Sequence, residues 1–156
     1  MTLTTLAWLA LAAYGFHIME EFTFDWRNWA RAAIGLPVEW SDFYVTNAIV
    51  IALLIVQAEL AATVPWTTLI AATEMLINAV FFHIVQMIRL KGRFSPGTIT
   101  AVVLFIPLGI AMWKRAYEDG SLDTATVLIG AIGGAVVMAY PIVMLNVRSR
   151  PYFRQA

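Results

Sequence analysis

His17-Ile18-Met19-Glu20-Glu21 gathers an imidazole and two carboxylates into five residues at the end of the first apolar run. On an α-helix His17 and Glu21 lie one turn apart, with Glu20 on the neighbouring flank. Nitrogen and carboxylate oxygen at that spacing suit zinc or non-haem iron, and equally suit acid–base chemistry. The apolar run before it, Leu3 to Phe16, is too short alone to cross about 30 Å of hydrocarbon, which takes roughly 20 residues. If this helix spans, His17 lies inside the membrane and the carboxylates at its edge. A charge there costs about 2.5–3.5 kcal/mol on insertion scales. Net stabilities are only about 5–15 kcal/mol, so the cluster must be paired, protonated or metal-bound.

A second set follows at Glu74, Asn78 and His83. Glu74 and Asn78 share a helix face, but His83 is five residues further on, about 140° away on an ideal helix. It joins them only if the helix is rotated, kinked or locally widened. For Glu74 and Asn78 the plain alternative is an interhelical hydrogen bond with Glu74 protonated. For His83 it is a satisfied structural histidine, against which stands the matching depth of the chain's two histidines. The metal-ligand candidates are thus His17, Glu20, Glu21 and His83. The catalytic candidates are Glu20, Glu21, Glu74 and Asn78.

The elements that must position these residues are helices in a bilayer. The 156 residues are 61% hydrophobic and 13% charged, with mean hydropathy +0.77. A soluble domain carries about 25% charged residues. The composition predicts an all-α, polytopic membrane protein, one transmembrane bundle domain over 1–156. Net charge is zero, which gives no field for nucleic acid. The absence of cysteine excludes disulfides, thiolate nucleophiles and Cys-ligated zinc. No Lys or Arg precedes the first apolar run, so the first helix is expected to stay rather than be cleaved.

Five spans are expected, at about Leu3–Glu21, Asp42–Thr63, Trp66–Leu90, Pro96–Tyr117 and Leu122–Leu145. Pro107 should kink the fourth. Gly130, Gly133 and Gly134 should let the fifth approach a neighbour closely. Between the first two spans, Phe22 to Ser41 combines Trp26, Trp29 and Trp40 with Arg27, Arg31 and Glu39. It reads as a headgroup-layer anchor, or as a lid over the cluster.

Five spans put the termini on opposite sides. With the C-terminus cytoplasmic, the inner side receives Arg27, Arg31, Arg89, Lys91, Arg93, Arg148, Arg150 and Arg154, and the outer side only Lys114 and Arg115. The positive-inside rule therefore places the N-terminus outside and the cluster near the cytoplasmic leaflet, at similar depth to His83.

With His17-Ile-Met-Glu20-Glu21 ahead of Asn78-Ala-Val-Phe-Phe-His83 and Phe94-Ser-Pro96-Gly97, the chain resembles the HXXEE family of bacterial membrane proteins over about Ala12 to Gly109. The resemblance implies a small helical membrane protein of unsettled biochemical function, placed in the bacterial inner membrane. It strengthens the choice of site residues more than it identifies a reaction.

Three functions compete. The first is a membrane metalloenzyme, in which a divalent zinc or iron neutralises the carboxylates and lowers the pKa of bound water or supports oxygen chemistry. The second is a metal-free isomerase or cyclase, in which a desolvated, protonated Glu delivers its proton to an isoprenoid- or sterol-like substrate and aromatic faces stabilise a cation. The third is a proton-coupled transporter or accessory subunit. The expected partners are the lipid bilayer, a lipophilic small molecule and, for the bundle itself, further copies in a homo-oligomer. No serine-triad order, phosphate loop or nucleotide fingerprint is present.

Overall fold

In a computed structural model the chain folds into six principal helices; the structure describes residues 1–148 and 150–153. They are α1 (Leu3–Thr23), the short α2 (Trp26–Ala33), α3 (Trp40–Leu60), α4 (Trp66–Arg89), α5 (Thr98–Glu118) and α6 (Thr124–Arg148). A single 3₁₀ turn, Pro151–Phe153, follows. Arg154, counted above on the inner side, lies outside the described residues.

Among the described residues four helices, not five, are long and apolar enough to cross a membrane: α3, α4, α5 and α6. α1 has the length, 21 residues, but its last third carries His17, Glu20 and Glu21, whose polarity dilutes the apolar run. The outer faces suit a lipid solvent. Ile132 and Val136 of α6 and Ile110 of α5 are more than half exposed, where water would penalise them.

Local chemistry sets the helix ends. The Thr2 hydroxyl accepts from the Thr5 amide at 3.1 Å and opens α1. Glu39 and Asp42 form a reciprocal capping box at the start of α3. Pro107 sits inside α5 and has no N–H for the preceding turn; directly upstream, Ala101–Phe105 widens into π-helical turns. The kink expected at that proline thus takes the form of a widened turn.

α4 is the central helix: half of its apolar window is buried inside the protein, against 11% for α6. α6 lies along it by way of its glycines. A Cβ on Gly130 would stand 2.7 Å from Cβ of Leu69, and one on Gly134 would stand 2.5 Å from Cβ of Thr73. Those distances admit hydrogen only, so the expected close approach is present and its partner is α4.

One end of the bundle is closed by the segment between α1 and α3. α2 was not anticipated as a helix; it turns Trp29 and Ala30 inward against Val38 and Leu145 of α6. Arg27 and Arg31 both pair with Glu39, and Arg148 of α6 pairs with Asp42 of α3. The hydrogen bond from Arg27 is the main reason that the exposed Glu39 carboxyl is held below the ordinary carboxylate range. α1 ends, α3 begins, α4 ends, α5 begins and α6 ends at this same end, which is where the candidate residues converge.

Candidate metal centre

The 140° offset between Asn78 and His83 is narrowed by the backbone. From Asn78 to Ile84, α4 is π-helical. Its i→i+5 hydrogen bonds widen the turn, so residues five apart lie nearer one face than on an α-helix. Asn78 and His83 are five apart, so the widened turn brings His83 round to the inner side. There it meets α1: the His17 and His83 rings lie edge to face with centroids 4.9 Å apart. Both rings are almost wholly buried.

Glu21 completes a set of three. One of its oxygens, Oε1, lies 3.5 Å from Nε2 of His17 and 3.7 Å from Nε2 of His83. Donor atoms of all three side chains fall within 4.8 Å of one another. Neither Nε2 has a hydrogen-bond partner among the described residues. The separations are too long for hydrogen bonds. They match two ligands on one tetrahedral zinc, which at about 2.0–2.1 Å each from the ion stand about 3.4 Å apart.

The other ring nitrogens are held from behind. Nδ1 of His17 is 2.8 Å from the Thr100 hydroxyl, which itself donates to Oε2 of Glu20 at 2.6 Å. A hydroxyl has one proton. With that proton on the Glu20 carboxylate, Thr100 accepts from Nδ1–H, and the Nε2 lone pair of His17 is left facing Glu21. His83 makes the matching contact, Nδ1 to the Ser95 hydroxyl at 3.2 Å. A histidine ligand characteristically donates its second nitrogen in this way, which fixes tautomer and ring angle.

Glu20 itself stands apart from the set of three. Its oxygens accept from the amides of Gly97 at 3.1 Å, Ile99 at 3.0 Å and Thr100 at 2.7 Å. It therefore caps the N-terminus of α5, where unpaired amides and the helix dipole favour an anion. Of the four ligand candidates, the structure brings together His17, Glu21 and His83 and directs Glu20 to a supporting position.

Gly97 forms the floor. Its φ is +97°, and a Cβ there would lie 2.5 Å from Cε1 of His83 and 2.7 Å from Cε1 of His17. Phe105, fully buried, covers the His17 ring at 4.3 Å between centroids. Gly97, Ser95 and Thr100 are site residues that periodicity and charge do not reveal. The signal available for them was the Ser-Pro-Gly-x-x-Thr start of α5.

A cavity of about 420 Å³ reaches the cluster, within the usual range for small-molecule sites. Tyr14, His17 and Glu21 of α1 and Glu74, Asn78 and Phe82 of α4 line its inner wall, α3 and α6 its outer wall. Glu74 and Asn78 are thus beside the set of three rather than in it. Each is buried and has an oxygen without a hydrogen-bond partner among the described residues. Trp26, Leu36, Val38 and Ser41 also line the cavity, so the segment expected as anchor or lid borders it.

Residues 8–112 match the family described as "Protein of unknown function with HXXEE motif". That range holds the three converging residues, Glu20, Gly97 and Thr100. α6 follows it in sequence. No curated protein and no solved structure matches the chain.

Proposed function

The chain belongs to the HXXEE family, and from that premise we propose that it is a membrane-embedded metalloenzyme acting on a lipophilic substrate. His17, Glu21 and His83 hold a divalent ion, zinc or iron. The observation that carries this reading is the convergence of two bare, buried imidazole nitrogens on one carboxylate oxygen. With Nδ1–H of each ring donated to Thr100 or Ser95, three lone-pair-bearing atoms face one another in a low-dielectric interior, and they repel unless a proton or a cation lies between them.

Two histidines and one carboxylate are the ligand set of hydrolytic zinc sites and of non-haem iron sites that keep open positions. Such an ion supplies Lewis acidity and an activated water at neutral pH. The chain's own residues do the rest. Glu20 and Thr100 fix the His17 ring, Ser95 fixes the His83 ring, and Glu74 stands in the cavity wall to take or give a proton. The lid segment and Phe105 exclude water.

In the same reading α1 also lies in the bilayer, with the N-terminus outside and the C-terminus in the cytoplasm of a bacterial inner membrane. The count of basic residues at the lid end supports this side. Metal titration of chelator-stripped protein in detergent tests the site: one tight site is expected in the wild type and none in His83→Ala. Equal binding by both would reject it.

Glu74 and Asn78 favour one second reading, a metal-free acid–base enzyme. Their unpartnered oxygens border the cavity, where a protonated Glu74 would deliver its proton to an alkene or epoxide.

A further inference from the structure

The cavity walls carry information on what the site accepts. Their exposed members mark the mouth: Ser41 and Val45 on α3, and Tyr140, Met144 and Arg148 on α6. α3 and α6 are both long and apolar enough to span, so the part of the mouth formed by Val45, Tyr140 and Met144 would face hydrocarbon, with Ser41 and Arg148 at the helix ends beside it. Arg148 is the one Lys or Arg among the lining residues, and it is tied to Asp42. Among the described lining residues, a phosphate or carboxylate head passing this rim meets only a cation that is already paired. Deeper, Glu21 and Glu74 together carry two negative charges when ionised, which a divalent ion balances to zero. An anionic ligand gains no net field there, and a buried unpaired charge is costly.

Polar groups still ask for a partner. Glu74 and Asn78 each leave a buried oxygen unbonded beside the ion-binding set. The smallest group that can both donate to such an oxygen and offer its own lone pair to a cation is a hydroxyl. We propose that the cavity takes an uncharged lipophile bearing a hydroxyl group, admitted from the bilayer between α3 and α6. The inference rests on the metal reading for the hydroxyl's second partner and names the substrate class for that site.

Photolabelling tests it. Metal-loaded protein in detergent is irradiated with a diazirine-bearing long-chain alcohol and, separately, with the methyl ether and the carboxylic acid of the same chain. The alcohol should label α3 and α6 peptides about tenfold more than either analogue, equivalent to about 1.4 kcal/mol. Excess unlabelled alcohol should suppress the signal. Thr46→Phe and Val137→Phe, which fill the cavity away from the ligands, should abolish it while retaining the ion. Equal labelling by the ether or the acid, or labelling that excess alcohol leaves unchanged, would overturn the inference. Protein that binds the ion without selecting the alcohol rejects this inference alone. Protein that selects the alcohol but binds no ion rejects the metal reading alone.

Discussion

Gly97 and His83 touch where no side chain fits between them: a Cβ built on Gly97 would lie 2.5 Å from the imidazole Cε1. The contact ties the start of α5 to the widened turn of α4 and leaves the His83 ring one position. Gly97→Ala is therefore expected to displace both histidines and abolish metal binding. Gly92→Ala is the control. Gly92 also has positive φ, +87°, but open space around it, so the variant should cost only the backbone strain, about 1–3 kcal/mol, and keep the ion. Metal content and thermal unfolding of the two variants check this.

Thr100 is expected to tune the site through His17. Thr100→Val keeps the shape of the side chain but removes the hydroxyl between Glu20 and Nδ1. Loss of such an outer partner typically costs about 10–100-fold in metal affinity. Thr100→Ser keeps the hydroxyl and should stay near wild type. A competition titration against a chelator reads both. Equal affinities in the two variants would remove Thr100 from the site.

Glu74 is expected to stand outside the ion's ligand set. Glu74→Gln preserves shape but offers no acidic proton. With Glu74 outside the ligand set, the variant should retain the ion at wild-type stoichiometry. Loss of the ion would instead make Glu74 a ligand, which elemental analysis of the purified variant detects.

The lid should respond to acid. Arg27 holds the Glu39 carboxyl below the ordinary carboxylate range. A depressed carboxylate stabilises the fold above its unfolded-state pKa and loses that contribution as pH falls through its folded value. The clamp formed by Arg27, Arg31 and Glu39 should thus release only under distinctly acidic conditions. Emission from Trp26, Trp29 and Trp40 reports the change, and Glu39→Gln should flatten the acid transition.

Much of this was legible in the sequence for physical reasons that can be named. The one-turn spacing of His17 and Glu21 survives in α1 because both sit on an ordinary α-helix. Their meeting with His83 was legible only as a condition, since no composition rule marks Asn78–Ile84 as π-helical. Glu20 read as a ligand because its role depends on amides 77 to 80 residues away, which helix spacing cannot anticipate. The glycines of α6 gave close packing but not its partner, α4. The first of the five expected spans is the one that falls short: α1 is long enough, but His17, Glu20 and Glu21 keep it out of the set of four helices apolar enough to cross.

Elemental analysis of wild-type protein, purified in detergent without chelators, tests the central claim most directly. The account predicts about one zinc or iron per chain in the wild type and none in His17→Ala, Glu21→Gln or His83→Ala. The His17→Ala/His83→Ala double variant should lose nothing further, because ligands of one ion act as a unit. Folded wild-type protein that carries no transition metal, or single variants that each retain a full equivalent, would contradict it.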